Sequence, residues 1–153
     1  MNNLACQRND ENLFVTSWLG KLNLKSGEIS YVNAGHNPPL IRQNNGDFEY
    51  FQSSHNLVLG GIEDIPYNEY ALNFKPGDMI FLYTDGVTEA NNDYHGFYGE
   101  DRLKETINKF KDESLNMIIT KIKDDIRSFC DNQDQYDDVT MVILKYNGWD
   151  DNE

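Results

Sequence analysis

Apolar and polar residues alternate with a period of two through the first half of the chain, and with a period near 3.6 through much of the second. In LFVTSWLGKLNL (13–24), Phe14, Thr16, Trp18, Leu22 and Leu24 fall on one side of a strand. KSGE then supplies a turn, and EISYVNAG (28–35) reads as the returning strand of a hairpin. Pro38 and Pro39 exclude a central strand at 38–39 but permit an edge entry into Leu40. DFEYFQ, after QNNG, is a further short strand. NEYALNF (68–74) sets Tyr70, Leu72 and Phe74 against Ala71 and Asn73. Lys75-Pro76-Gly77-Asp78 is a turn, and MIFLYT (79–84) leaves it.

Helical spacing takes over in GEDRLKETINKF (99–110), with Leu103, Ile107 and Phe110 in phase. Ser114 is placed as the N-cap of SLNMIITKIKDDIRSFC, where Leu115, Ile118, Ile119, Ile122, Ile126 and Phe129 form one stripe. VTMVILKY (139–146) returns to strand character. This segment and MIFLY are apolar on both sides, the pattern of interior strands covered on both faces. The expected fold is α+β: a largely antiparallel sheet with central strands at 79–84 and 139–146, and two helices packed on a face.

That arrangement gives three acidic residues a common address. Asp85 immediately follows one doubly apolar strand; Asp137 and Asp138 immediately precede the other. Antiparallel neighbours would bring them to one sheet edge, whereas parallel strands would hold them a strand length apart. Gathered carboxylates repel unless protonated or bridged by a cation, and oxygen-only ligands favour magnesium or manganese. Each signal also has a plainer account: Asp-Gly after a strand is turn chemistry, and Asp-Asp before a strand is a solvated loop end. DNQDQYDDVTMV has the acidic spacing of a calcium loop, but Tyr136 stands where glycine is needed and Val142 where glutamate is needed. There is no GxxxxGK[ST] phosphate loop and no GxSxG elbow. His36, between a strand and two prolines, suits a structural hydrogen bond better than catalysis.

Length and composition narrow the class. A chain of 153 residues is most simply one domain with a real core. Its net charge of −13 repels nucleic acid and anionic membrane, excluding both as partners; a divalent cation or a basic protein surface would suit it, though solubility is the simpler account. Cys6 and Cys130 stand apart with no CxxC, and the three histidines are scattered, so neither a disulfide framework nor a zinc site is expected and a reducing cytoplasm is the default. MNNLACQRNDEN is not a signal peptide, and no apolar run approaches a membrane span.

Read together, YVNAGHNPPLI, LGGI, FKPGDMIFLYTDGVTEAN, FYGEDRL and DDVTMVILKY resemble, in order and spacing, the bacterial PPM-type (protein phosphatase 2C-like) serine phosphatases of the stage II sporulation protein E / RsbU kind. The resemblance covers roughly residues 12–146. It implies a β-sandwich flanked by helices with a two-metal site (Mn2+ or Mg2+) at one end. The metal ligands it implies are Asp85 and Asp137, with Asp138 a lesser candidate. The metals would hold the water that attacks phosphoserine or phosphothreonine, and the implied substrate is a phosphorylated anti-sigma-factor antagonist. The family's upstream Gly-Asp-x-x-Gly-x-Gly, whose Asp bridges both metals, has no match in residues 1–12. The expectation is a single, N-terminally truncated phosphatase domain that is poorly active alone, with exposed edges that favour a homodimer. The alternative is a non-catalytic partner-binding module with a degenerate phosphatase fold; a generic acidic metal-binding domain is a third.

Overall fold

A computed structural model describes all residues except 8, 10, 12, 53, 93, 95, 132–137 and 150–153. In chain order the elements are α1 (Asn2–Cys6), β1 (Ser17–Leu22), β2 (Glu28–Ala34), β3 (Leu40–Arg42), β4 (Phe48–Tyr50), β5 (Tyr70–Asn73), β6 (Met79–Tyr83), α2 (Asp85–Thr88), β7 (Asn91–Asn92), β8 (Gly96–Phe97), α3 (Gly99–Lys109), α4 (Leu115–Phe129) and β9 (Met141–Lys145). They form two compact units, the first from Met1–His36, Gln52–Phe74 and Gly148–Glu153, the second from Asn37–Phe51 and Lys75–Asn147. The architecture is α+β with antiparallel sheets, as the pattern predicts.

The first unit carries a three-stranded sheet in the order β1-β2-β5. The β1–β2 turn is shaped by Asn23, whose Oδ1 accepts the backbone N–H of Lys25 and of Ser26, and by Gly27 at a φ of 75°. Ile29, Tyr31, Leu72 and Phe74 are buried, and Tyr31 stacks on Trp18 with ring centroids 5.4 Å apart. The strand expected over 13–24 is shorter. Pairing with β2 begins at Ser17↔Ala34 and ends at Leu22↔Ile29. Phe14 and Leu24 therefore lie outside the ladder and are exposed, while Val15 bridges to Leu59 instead.

The second unit holds a four-stranded sheet in the order β4-β3-β6-β9, every pair antiparallel. Leu40, Phe48, Met79, Phe81 and Tyr83 from the sheet pack with Val87 of α2, Leu103 and Ile107 of α3, and Ile118, Ile122 and Ile126 of α4. Each fully buried Leu, Ile or Phe contributes roughly 1.5–3 kcal/mol, so this cluster is what holds the unit together. Leu115, Ile119 and Phe129 flank it half-buried, which makes the whole predicted stripe of α4 its packing face. Ser114 caps α4 as expected, its Oγ accepting from the Met117 N–H at 3.3 Å.

β6 is the interior strand that its double apolarity predicts. β9 is not: it ends the sheet, with Val142 51% and Leu144 39% exposed. An apolar sequence marks what a strand could bury, but only the strand order decides what covers it. Among the described residues no strand pairs with the outer edge of β9.

Candidate functional site

The β6–β9 ladder runs from Met79↔Lys145 to Tyr83↔Met141. Being antiparallel, it sets the end of β6 beside the start of β9, the condition under which Asp85 and the Asp137–Asp138 pair share an edge. Thr84 secures this junction. Its N–H donates to Thr140 O at 3.1 Å, its Oγ1 accepts the Thr140 N–H at 2.9 Å, and its hydroxyl donates to the Asp138 carbonyl at 2.9 Å. Thr84 is also the N-cap residue of α2, with extended backbone angles (φ −87°, ψ 159°), but its hydroxyl is spent on β9 and makes no capping bond.

Asp85 opens α2. Its carbonyl accepts from the Glu89 N–H at 2.8 Å and from the Thr88 hydroxyl at 3.2 Å, so the backbone is committed to a single tight turn. Gly86 and Val87 are buried and anchor that turn in the core. The Asp85 side chain is left exposed; among the described residues its carboxylate accepts one hydrogen bond, from the Gly86 N–H at 3.1 Å. Asp138 is exposed on the facing strand end. Asp137 lies outside the described residues.

The structure thus brings Asp85 and Asp138 to one end of the sheet, each on backbone fixed by hydrogen bonds. Carboxylate oxygen is the donor type that a hard divalent cation takes. Among the described residues no group of three His, Cys, Asp or Glu side chains converges to hold one, so the described donors fit the ion in kind and fall short of a full set. Sequence reasoning missed Thr84. The available signal was a threonine beside each acidic motif, Thr84-Asp85-Gly86 and Asp138-Val139-Thr140, but their pairing depends on register.

His36 is occupied structurally within the first unit. Its N–H donates to Asn33 Oδ1 at 2.8 Å, its carbonyl accepts from Asn33 Nδ2 at 3.0 Å, and its ring Nδ1 lies 3.3 Å from Thr16 Oγ1. Asn33, in turn, is tied through its carbonyl to the N–H of Asn56 at 2.7 Å.

The family described as Stage II sporulation protein E (SpoIIE) matches the chain over residues 1–147. The chain belongs to the SpoIIE family. Among its relatives, Protein IcfG of Synechocystis sp. is 31% identical over 144 residues, 94% of this chain and 22% of IcfG. Phosphoserine phosphatase RsbU of Bacillus subtilis is 28% identical over 145 residues, 95% of this chain and 43% of RsbU. This SpoIIE-family chain therefore spans less than half the length of either. Two solved structures share its fold: the PP2C phosphatase domain of SpoIIE from Bacillus subtilis with a fragment of its regulatory domain (TM-score 0.76, 19% identity, 95% of this chain and 42% of that one), and the SiaA-PP2C domain of Pseudomonas aeruginosa (TM-score 0.74, 16% identity, 87% and 52%). The fold is that of PP2C-like phosphatase domains, and the membership is in a family of protein serine/threonine phosphatases.

Proposed function

We propose that this SpoIIE-family chain forms part of the catalytic domain of a divalent-metal-dependent protein serine/threonine phosphatase. The observation that carries the reading is the antiparallel β6–β9 register, which sets Asp85 beside the strand end bearing Asp138. Asp85 and Asp137 would ligate Mn2+ or Mg2+, with Asp138 a further candidate. When bound, such ions supply an acidified water and neutralise charge on the phosphoryl group. The chain's own part is to hold the backbone of Asp85 and Asp138 at one end of the sheet. Thr84 supports this by locking both strand ends at once.

The substrate class is a phosphoserine or phosphothreonine protein of the anti-sigma-factor antagonist kind. The family membership and the relative named phosphoserine phosphatase RsbU support it. The cytoplasm is the compartment where such a substrate would be met; among the described residues no helix is long and apolar enough to cross a membrane. By itself the 153-residue chain is a weak catalyst, because the Gly-Asp-x-x-Gly-x-Gly stretch is not among its residues.

The test is Mn2+-dependent release of phosphate from a phosphoserine protein by the natural gene product carrying this segment, wild type against Asp85→Asn. The expected loss is a hundredfold or more, on the order of what removing one group that stabilises transition-state charge costs. Equal rates would refute the role of Asp85. A wild type that binds partner proteins but never hydrolyses would favour a degenerate binding module.

A further inference from the structure

We propose that Asn37 is a substrate-binding residue whose carboxamide donates to the phosphoryl group; this rests on the phosphatase reading above. Strands β3, β6 and β9 are adjacent in the second sheet. β3 pairs with β6 so that Leu40 faces Phe81 and Arg42 faces Met79. Ahead of Leu40 the ladder runs on to Pro39. The Phe51 N–H donates to Pro39 O at 2.8 Å, continuing the β3–β4 ladder beyond Leu40↔Tyr50. Asn37, as the residue before Pro38, is itself biased to extended backbone. Continued at about 3.3 Å per residue, the β3–β6 register would carry Asn37 about 10 Å beyond Leu40 and level with Thr84, three residues beyond Phe81. One end of the sheet therefore presents Asn37, then Thr84 and Asp85, then Asp138, from three neighbouring strands.

The carboxylates on two of these strands suit a cation. Asn37 suits what a cation there would bring. It is neutral, and its carboxamide carries two N–H donors. It is half-buried, and among the described residues no hydrogen bond engages its side chain. The two prolines that follow stiffen its backbone, so the residue is held in place without a structural bond of its own. A neutral donor beside an acidic cluster can meet a phosphoryl oxygen without competing for the metal, and a hydrogen bond to a charged oxygen is one of the stronger kinds.

The experiment is calorimetric titration of inorganic phosphate into the natural gene product carrying this segment, in saturating Mn2+. Asn37→Ala should weaken phosphate binding about tenfold and raise KM for a phosphoserine protein by a similar factor. Asn37→Asp should weaken it further, since it adds negative charge. Mn2+ affinity and Tm of Asn37→Ala should match wild type. Wild-type phosphate affinity in Asn37→Ala would overturn the proposal and leave the phosphatase reading standing. A loss that comes with a lowered Tm or lowered Mn2+ affinity would overturn it too, as a structural effect. A wild type that neither binds phosphate nor hydrolyses phosphoserine would overturn both.

Discussion

Thr84 shows how much a single hydroxyl can organise. It donates to the Asp138 carbonyl while accepting the Thr140 N–H, so its loss leaves a donor and an acceptor unpaired at a strand junction. Thr84→Val keeps the shape and removes both bonds, which should cost about 0.5–1.5 kcal/mol because the freed groups can turn to water. Its effect on catalysis should be larger in proportion, at least a tenfold fall in Mn2+-dependent turnover, because the Asp85 and Asp138 ends are no longer pinned together. Thr84→Ser should restore most of both; chemical denaturation alongside phosphate-release assays reads the two effects. Unimpaired turnover in Thr84→Val would remove the junction from the site. Asp85 was legible in the sequence because an acid after a doubly apolar strand is conspicuous. Thr84 was not, because its partners are defined by which residues of β9 lie opposite β6.

The helices were more legible than the strands they cover. The α4 stripe and its Ser114 cap could be read from spacing and residue type, and Ile122, fully buried at its centre, should cost about 2–5 kcal/mol when cut to alanine. What spacing could not reveal is the polar network joining α3 to α4. Arg102 makes two hydrogen bonds to the Asp125 carboxylate at 3.0 Å, and the hydroxyls of Tyr98 and Thr106 donate to Asp125 Oδ2 at 2.7 and 3.1 Å. The hydrogen bonding from Arg102 is the main reason the Asp125 carboxyl is lowered to about 2. A folded-state value below the unfolded one, about 3.9, adds stability that is complete above the unfolded value and disappears as pH falls toward 2. Chemical denaturation at a series of pH values should therefore show stability falling slightly between about pH 4 and 2, and Asp125→Asn should flatten the curve there. An unchanged curve would mean the network contributes nothing. Arg102 is 41% exposed on its side chain, so the gain at neutral pH is small, on the order of 1 kcal/mol. Strand β9 marks the limit in the other direction: its apolar outer face could be read, its position at the sheet edge could not.

For the molecule as a whole, two features oppose each other. Among the described residues the outer edge of β9 pairs with no strand, and the apolar side chains of Val142 and Leu144 are exposed. A net charge of −13 resists bringing two copies together. Added salt screens the repulsion and leaves the apolar contact, so sedimentation of the chain should show self-association that rises with ionic strength and is lost in Val142→Lys. Association that falls with salt would point to a charged interface elsewhere. The two compact units also make unfolding in two steps an expectation for calorimetry. The clasp between Thr84 and Asp138 has a further consequence, for how the protein is made. Its halves are 54 residues apart in the chain, with α3 and α4 between them. A growing chain can wind both helices as soon as they leave the ribosome, yet Asp85 waits for β9, which is made after both of them, before it gains its neighbour. A message cut short before β9 would yield both helices without the Thr84–Asp138 clasp.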